Sequence, residues 1–541
     1  MGEYNINGLA IPMFLLFMVI EYVFLRLTGR NLHRYNDNVT SLSMGLCLLV
    51  SDALLKAYTF AVFIYIWENH RLMDFGSGEP ITWIVFFVGL DFCYYWFHRL
   101  AHEINFLWGA HVGHHQSEEY NLTTALRQSA FQYAFSWLFY LPLALFGCPP
   151  EVFLLQFVVL KLYQFWLHTQ LVNKIPLLEG VFSTPSSHRV HHAKNPMYID
   201  RNYGGTLVIW DRMFGTWQAE LASEQCHYGT TRALDTLDPI KANLQHWSML
   251  AKDSVATANW QDKIKLWFKP TGWRPEDCQI QGSVLDPAPD SGSYSELQKS
   301  GCANREKFDP QTSAKVKAYV TLSMLAIFVL STMFLFLSPS LSSLYLATGV
   351  VVIVGGVFIA NQFLENDFRN WFVELIRVPL MIWFIGILWV TPSSTTVVNS
   401  ILVERTPIEA LNYASSVERW PEWHPQSSKV YVESQAPLIE GEKFEEDIVT
   451  PIGKNHLLWD VKESLKGDVW IAHARNQDNG ANIQLEYRVK GQGEHAIFER
   501  TLHYQLPHFA FLVFNSLYFQ KQVEAKSESA MLRLKQAIEA S

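Results

Sequence analysis

The sequence predicts a mainly α-helical chain that crosses a membrane several times and ends in a smaller α+β domain. Three observations carry that prediction. The hydrophobic fraction is an ordinary 49%, yet the apolar residues are bunched into runs long enough to span a bilayer. Between residues 91 and 192, eight of the nineteen histidines fall into three spaced clusters. Beyond residue 397 the pattern changes to short alternating runs, followed by one long helical stretch.

The apolar runs are 9–27, 42–67, 81–97, 130–145 and 152–167, then 316–337, 341–363 and 371–390. The first has no small-residue cleavage site after it and is interrupted by Glu21, which predicts a retained anchor rather than a signal peptide. The pair around Cys148-Pro149-Pro150 reads as a hairpin. Arg26, Arg30, His33 and Arg34 follow the first run and place it, by the positive-inside rule, with its C-terminal end in the cytoplasm. Counting spans from there puts the histidine clusters at the cytoplasmic membrane surface. It also puts the C-terminal domain on the opposite side unless 371–390, preceded by Glu365, Asp367 and Arg369, is re-entrant.

The clusters read His98-x3-His102, His111-x2-His114-His115 and His188-x2-His191-His192. Residues three and four apart share a helix face, so each cluster aims its imidazoles at one place. One metal takes three or four protein nitrogens and keeps a position open for chemistry, so eight histidines predict a dinuclear centre. Imidazole suits iron, zinc and copper alike, and the metal is not fixed by the ligands alone. Asp91 stands seven residues before His98 inside an apolar run. It is expected either to hold a ligand's second ring nitrogen or to make a structural hydrogen bond. His168, ending the run 152–167, is a ninth ligand, a donor at the metal centre, or a helix end satisfied by backbone.

The six cysteines have no C-x-x-C pairing, which implies neither a disulfide framework nor a thiolate metal site. A net charge of -9 argues against a nucleic-acid partner. Residues 282–295 are rich in Pro, Gly and Ser and mark a boundary. The expected division is a membrane histidine domain at 1–277, a linker at 278–314, further membrane helices at 315–396 and a C-terminal domain at 397–541. In the last, strands are expected at 397–403, 429–433, 443–449, 456–461, 469–474, 483–489 and 496–506, and a helix at 509–540. His424, Glu446 and His503 are isolated in sequence, and no catalytic constellation is visible there.

Two resemblances add to this reading. The order and spacing of the histidine clusters resemble the membrane fatty acid hydroxylase and sterol desaturase superfamily. Within it, the stretch 111–129 (His-Val-Gly-His-His-Gln-Ser-Glu-Glu-Tyr-Asn-Leu-Thr-Thr-Ala-Leu-Arg-Gln-Ser) is similar to the alkylglycerol monooxygenases. So are Gln-Phe-Trp-Leu-His-Thr at 164–169, Thr-Pro-Ser-Ser-His-Arg-Val-His-His at 184–192, Asn-Tyr-Gly-Gly at 202–205 and Trp-Asp-Arg-Met-Phe-Gly at 210–215. That resemblance implies a di-iron oxygenase with His98, His102, His111, His114, His115, His188, His191 and His192 as ligands, and Glu118, Tyr120, Asn121 and Arg127 near the site. Ser187 departs from it, standing where the related pattern usually has another histidine. The candidate catalytic residues are then Asp91, His168, Glu118 and Asn121.

The implied partners are O2, a lipophilic substrate in contact with membrane lipids, and an external electron donor. Tetrahydrobiopterin enters only by analogy, since no motif in the chain shows it. The expected reaction is hydroxylation of a C–H bond in an alkyl or ether-lipid substrate. Desaturation or ring closure by the same site and a di-zinc membrane hydrolase are the alternatives. The C-terminal pattern, with Glu418-Arg-Trp-Pro-Glu-Trp-His-Pro425 after a short helix, resembles the helix-grip fold of START-like and polyketide cyclase-like domains, which implies binding of a hydrophobic substrate or product. The fused architecture fits a bacterial inner membrane.

Overall fold

The computed structural model describes residues 6–279, 306–338, 341–391, 393–433, 437–450, 453–478, 480–492, 495–506 and 515–540. The expected linker at 278–314 lies largely outside them. The chain forms two compact units, one built from residues 6–335 and 343–381 and the other from 336–342 and 382–541.

Six helices among the described residues are long and apolar enough to cross a membrane: Tyr35–Lys56, Pro80–Glu103, Pro150–Leu167, Ala314–Leu337, Ser343–Leu364 and Trp371–Val390. The protein is an integral membrane protein. The run at 9–27 forms the helix Ile6–Leu27. Its Glu21 is buried and accepts hydrogen bonds from the Leu122 amide at 2.8 Å and the Thr169 hydroxyl at 2.6 Å, so the acid ties this helix to the chain around the histidines. The run at 130–145 breaks into Gln132–Ser136, a 3-10 turn Trp137–Tyr140 and Leu141–Phe146. Gly147 ends the last piece at φ +100°, where a Cβ would stand 2.0 Å from the Met73 carbonyl oxygen. Pro149 and Pro150 then start the next helix.

In the same unit the helix Ser343–Leu364 packs on Tyr35–His70 through a buried polar contact. The Asn361 amide donates to Ser43 Oγ at 2.8 Å and its carbonyl accepts from Thr40 Oγ1 at 2.8 Å. In an apolar surrounding such a side-chain pair fixes register between helices.

The second unit is a seven-stranded antiparallel sheet in the order β1-β7-β6-β5-β4-β3-β2. The strands are β1 Ser393–Val403, β2 Ser427–Tyr431, β3 Lys443–Thr450, β4 Gly453–Leu465, β5 Val469–Asn476, β6 Asn482–Gln492 and β7 His495–Leu506. All seven lie where the alternating pattern places them. Two short helices, Pro407–Ser415 and Trp420–Trp423, connect β1 to β2. The helix Gln520–Ala540 lays Ala530, Met531, Leu534 and Ile538 on the sheet, against a core that includes Trp420, Trp459, Trp470 and Phe498. This is the expected helix-grip arrangement, with the start of the expected helix, at 509–514, outside the described residues. Leu534 is fully buried at this contact. Leu534→Ala should destabilise the unit by about 2–5 kcal/mol, read as a lowered thermal midpoint.

Candidate metal centre

Local structure aims the histidines before any tertiary contact is made. His98 and His102 stand one turn apart at the end of Pro80–Glu103. His111 caps the short helix Val112–His115, which carries His114 and His115. His188, His191 and His192 lie on Pro185–His192, whose start is closed by a reciprocal cap between Thr184 and Ser187. Ser187 therefore has a local role of its own. His168 directly follows Pro150–Leu167.

These elements bring nine buried rings into two groups. His98, His102, His111, His115 and His191 form one; His114, His168, His188 and His192 form the other, each with its nearest ring nitrogens within 4.8 Å of one another. All eight expected ligands are included. His168, left open between three roles by sequence, falls among the second group, with Nε2 at 3.1 Å from His188 Nε2 and 3.3 Å from His114 Nε2.

Ring orientation tests whether a cation fits. His98 Nδ1 donates to the Tyr203 carbonyl at 2.8 Å, His114 Nδ1 to Arg127 at 2.8 Å, His168 Nδ1 to Gln164 at 2.9 Å and His191 Nδ1 to Arg201 at 3.0 Å. A carbonyl only accepts, so in a neutral ring the proton sits on Nδ1 and Nε2 presents a lone pair. His114 and His168 then point lone pairs at each other across 3.3 Å, which is repulsive unless a cation lies between. Nitrogens each about 2.0–2.1 Å from one ion stand at about this separation. Nε2 of His102, His191 and His192 has no hydrogen-bond partner among the described residues. The donor set fits metal ions, and its neutral nitrogens would leave the charge of bound cations largely uncompensated.

Burial holds these rings neutral. It pushes His111, His114, His115, His188, His191 and His192 well below the ordinary 6.5, with neighbouring rings adding to the effect, and takes His168 down to about 4. Neutral imidazole is the form that ligates.

The other expected site residues stand around the groups rather than in them. Asp91 accepts from the Thr206 amide at 2.7 Å, the Leu207 amide at 3.1 Å and Trp210 Nε1 at 3.0 Å. It pins the 206–210 turn, and no histidine nitrogen is among these partners. Backbone carbonyls do the ring-holding expected of it: Tyr203 and Arg201 behind His98 and His191, Arg127 behind His114 and Gln164 behind His168. The carboxylate that does approach a ligand ring is Asp200, 3.5 Å from His102 Nδ1. Asp200 sits at φ +58°, a backbone state that sequence patterns do not announce.

Glu118 accepts from Arg34 Nη2 at 3.3 Å and the Phe308 amide at 2.9 Å, away from the rings. Asn121 caps Leu122–Leu126 and donates to the Leu32 carbonyl at 2.9 Å. Among the described residues these contacts tie both side chains to neighbouring chain segments. Tyr120 stacks on His168 and donates to the Leu167 carbonyl at 2.9 Å. Arg127 lends its carbonyl to His114.

Comparison with known proteins agrees with this geometry. The fatty acid hydroxylase family matches residues 83–216, the stretch that supplies all nine rings. Alkylglycerol monooxygenase of Xenopus tropicalis is 46% identical over 270 residues, covering 48% of this chain and 60% of the relative. Alkylglycerol monooxygenase of Danio rerio is 38% identical over 315 residues, covering 58% of this chain and 67% of the relative. The chain belongs to the fatty acid hydroxylase family. It spans only 60% of the length of the frog relative. Among solved structures, the Zhui aromatase/cyclase of a Streptomyces species aligns with 27% of this chain and 94% of its own, at 10% identity and a TM-score of 0.24.

In this member of the family a cavity of about 730 Å³ opens onto His102, His115, His191 and His192. Trp108, Ile199, Leu244, Met249 and Trp273 give it apolar wall, and Arg232, Lys241 and Lys252 also line it. Much of that wall comes from Pro239–Ala256 and the chain after it, a stretch that reads only as polar and mixed.

The neutral rings carry a pH dependence. Unfolded histidines take protons as the pH falls below 6.5, whereas the buried rings resist protonation, His168 down to about 4. The unfolded state then binds more protons, so the metal-free protein should lose stability progressively from about pH 6.5 downward. Denaturation of chelator-treated protein at pH 7.5 and 5.0 measures this. Equal stability at both would contradict the neutral-ring assignment.

Proposed function

We propose that this protein is a membrane monooxygenase that uses O2 to hydroxylate a C–H bond of a lipophilic alkyl or ether-lipid substrate, with alkylglycerols as the leading class. The observation that carries the reading is the convergence of nine neutral, buried ring nitrogens into two groups beside a cavity with substantial apolar surface. Two iron ions held there, one per group, would supply the activation of O2. Family membership supports that chemistry, and the names of the relatives support the substrate class.

Each part of the chain then has a role. The carbonyls of Tyr203, Arg127, Gln164 and Arg201 fix which nitrogen of each ring faces inward. Burial keeps the rings from being lost to protons, and Asp91 holds the loop that bears Tyr203 by anchoring the turn just beyond it. The cavity admits an alkyl chain to the five-histidine group through His102, His115 and His191. The balance is R–H + O2 + 2e⁻ + 2H⁺ → R–OH + H2O, so an external donor must supply two electrons. If the hydroxylated carbon adjoins an ether oxygen, the product is a hemiacetal, which collapses to an aldehyde and an alcohol.

Cells expressing the protein, fed an alkylglycerol ether, should produce the fatty aldehyde or its oxidised form in an O2-dependent manner. His191→Ala should lower that turnover at least about 100-fold together with metal content. Loss of two hydrogens from the substrate would assign desaturation or ring closure instead. Cleavage that proceeds without O2 by addition of water would replace the monooxygenase with a zinc hydrolase.

A further inference from the structure

The C-terminal unit encloses a second cavity, of about 90 Å³, far from the histidine clusters in sequence. Leu457, Ile483, Leu485 and Leu502 make it apolar, but its lining also holds His424, Glu446 and Arg500. These three residues, isolated in the sequence, come from the end of the second short helix, from β3 and from β7. Glu446 is only 2% exposed and Arg500 3%. Buried charge of this kind is unusual in a small apolar core and is costly unless it is matched.

The hydrogen bonds leave a specific deficit. Arg500 Nη2 lies 3.0 Å from His424 Nε2, and a guanidinium can only donate, so Nε2 is the acceptor and the ring proton sits on Nδ1. Among the described residues His424 Nδ1 has no hydrogen-bond partner, and neither has Arg500 Nε. Arg500 Nη1 is already engaged by Ser527 Oγ at 2.6 Å. Glu446, the acid lining the same cavity, accepts from Trp459 Nε1 at 2.9 Å, and burial pushes it up to about 7. Both unmet groups are therefore donors, one of them on a cation. What would satisfy them is an oxygen-bearing anion with an apolar remainder.

We propose that this cavity binds a compact monocarboxylic acid, its carboxylate held by Arg500 and His424 and its chain lying against Leu457, Ile483, Leu485 and Leu502. A carboxylate matches a guanidinium better than a hydroxyl or carbonyl head does, because both charge and geometry are met. The small volume selects a short or medium chain over a two-chain lipid. The site stands independently of the reaction at the histidine centre.

Calorimetric titration of the intact protein in lipid nanodiscs with octanoate and with 1-octanol tests the proposal. Octanoate should bind at least about tenfold more tightly than 1-octanol, and Arg500→Met should abolish that preference. Glu446→Gln, which keeps the Trp459 contact but removes a competing negative charge, should tighten octanoate binding about threefold or more. It carries the test if Arg500→Met does not fold. Equal affinity for acid and alcohol, octanoate binding unchanged in Arg500→Met, or no tightening in Glu446→Gln would overturn it. Octanoate binding that is lost in His191→Ala but kept in Arg500→Met would move the acid to the histidine centre and equally overturn it.

Discussion

Lone-pair repulsion among converging imidazoles is the constraint on which this structure turns. Four rings are locked by carbonyls with Nε2 facing inward, and the closest facing nitrogens of the two groups stand 3.1–3.3 Å apart. A folded chain without cations there would bury several acceptors with nothing to accept, each unfavourable by about 1–3 kcal/mol. The helices, the Asp91-pinned turn and the Glu21 contact all serve to hold that arrangement, which a bound metal ion would make favourable. Folding and metal loading are thereby linked, since ligand groups preformed by tertiary structure are absent from the unfolded chain.

Gathering the rings between the ends of two membrane helices and two short buried helices gives the centre two properties. Burial keeps the imidazoles neutral and able to ligate, and the adjoining cavity offers apolar wall to a lipophilic molecule. The cationic residues Arg232, Lys241 and Lys252 in the same cavity add a polar side to it. A substrate with an alkyl chain and a polar head matches both surfaces.

Much of this was legible in the sequence, for physical reasons that differ by element. Helical spacing alone groups His98 with His102 and His188 with His191 and His192. Period-two alternation located all seven strands because each has one buried face. What sequence could not supply were contacts made by backbone atoms and by distant loops. Asp91 looked like the partner of a ligand ring because it shares a helix face with His98, yet the carbonyl of Tyr203 fills that role, and carbonyls leave no signature in residue identity. Glu118 and Asn121 come to the site by resemblance, and the contacts they make, with Arg34 and with the start of a capped helix, have no signature in spacing. His424 and Glu446 read as isolated and Arg500 carried no signal, because only the folded sheet and the short helix beside it bring a helix end, β3 and β7 to one cavity.

The number of metal ions per chain tests the central claim most directly. Protein purified in detergent without chelator and analysed by inductively coupled plasma mass spectrometry should contain two iron ions per polypeptide. His188→Ala, confined to the four-histidine group, should lower that number while retaining an ion in the five-histidine group. A single ion in the unaltered protein, or two ions lost together with global unfolding in every single-histidine variant, would contradict an account in which two separate groups each hold one metal.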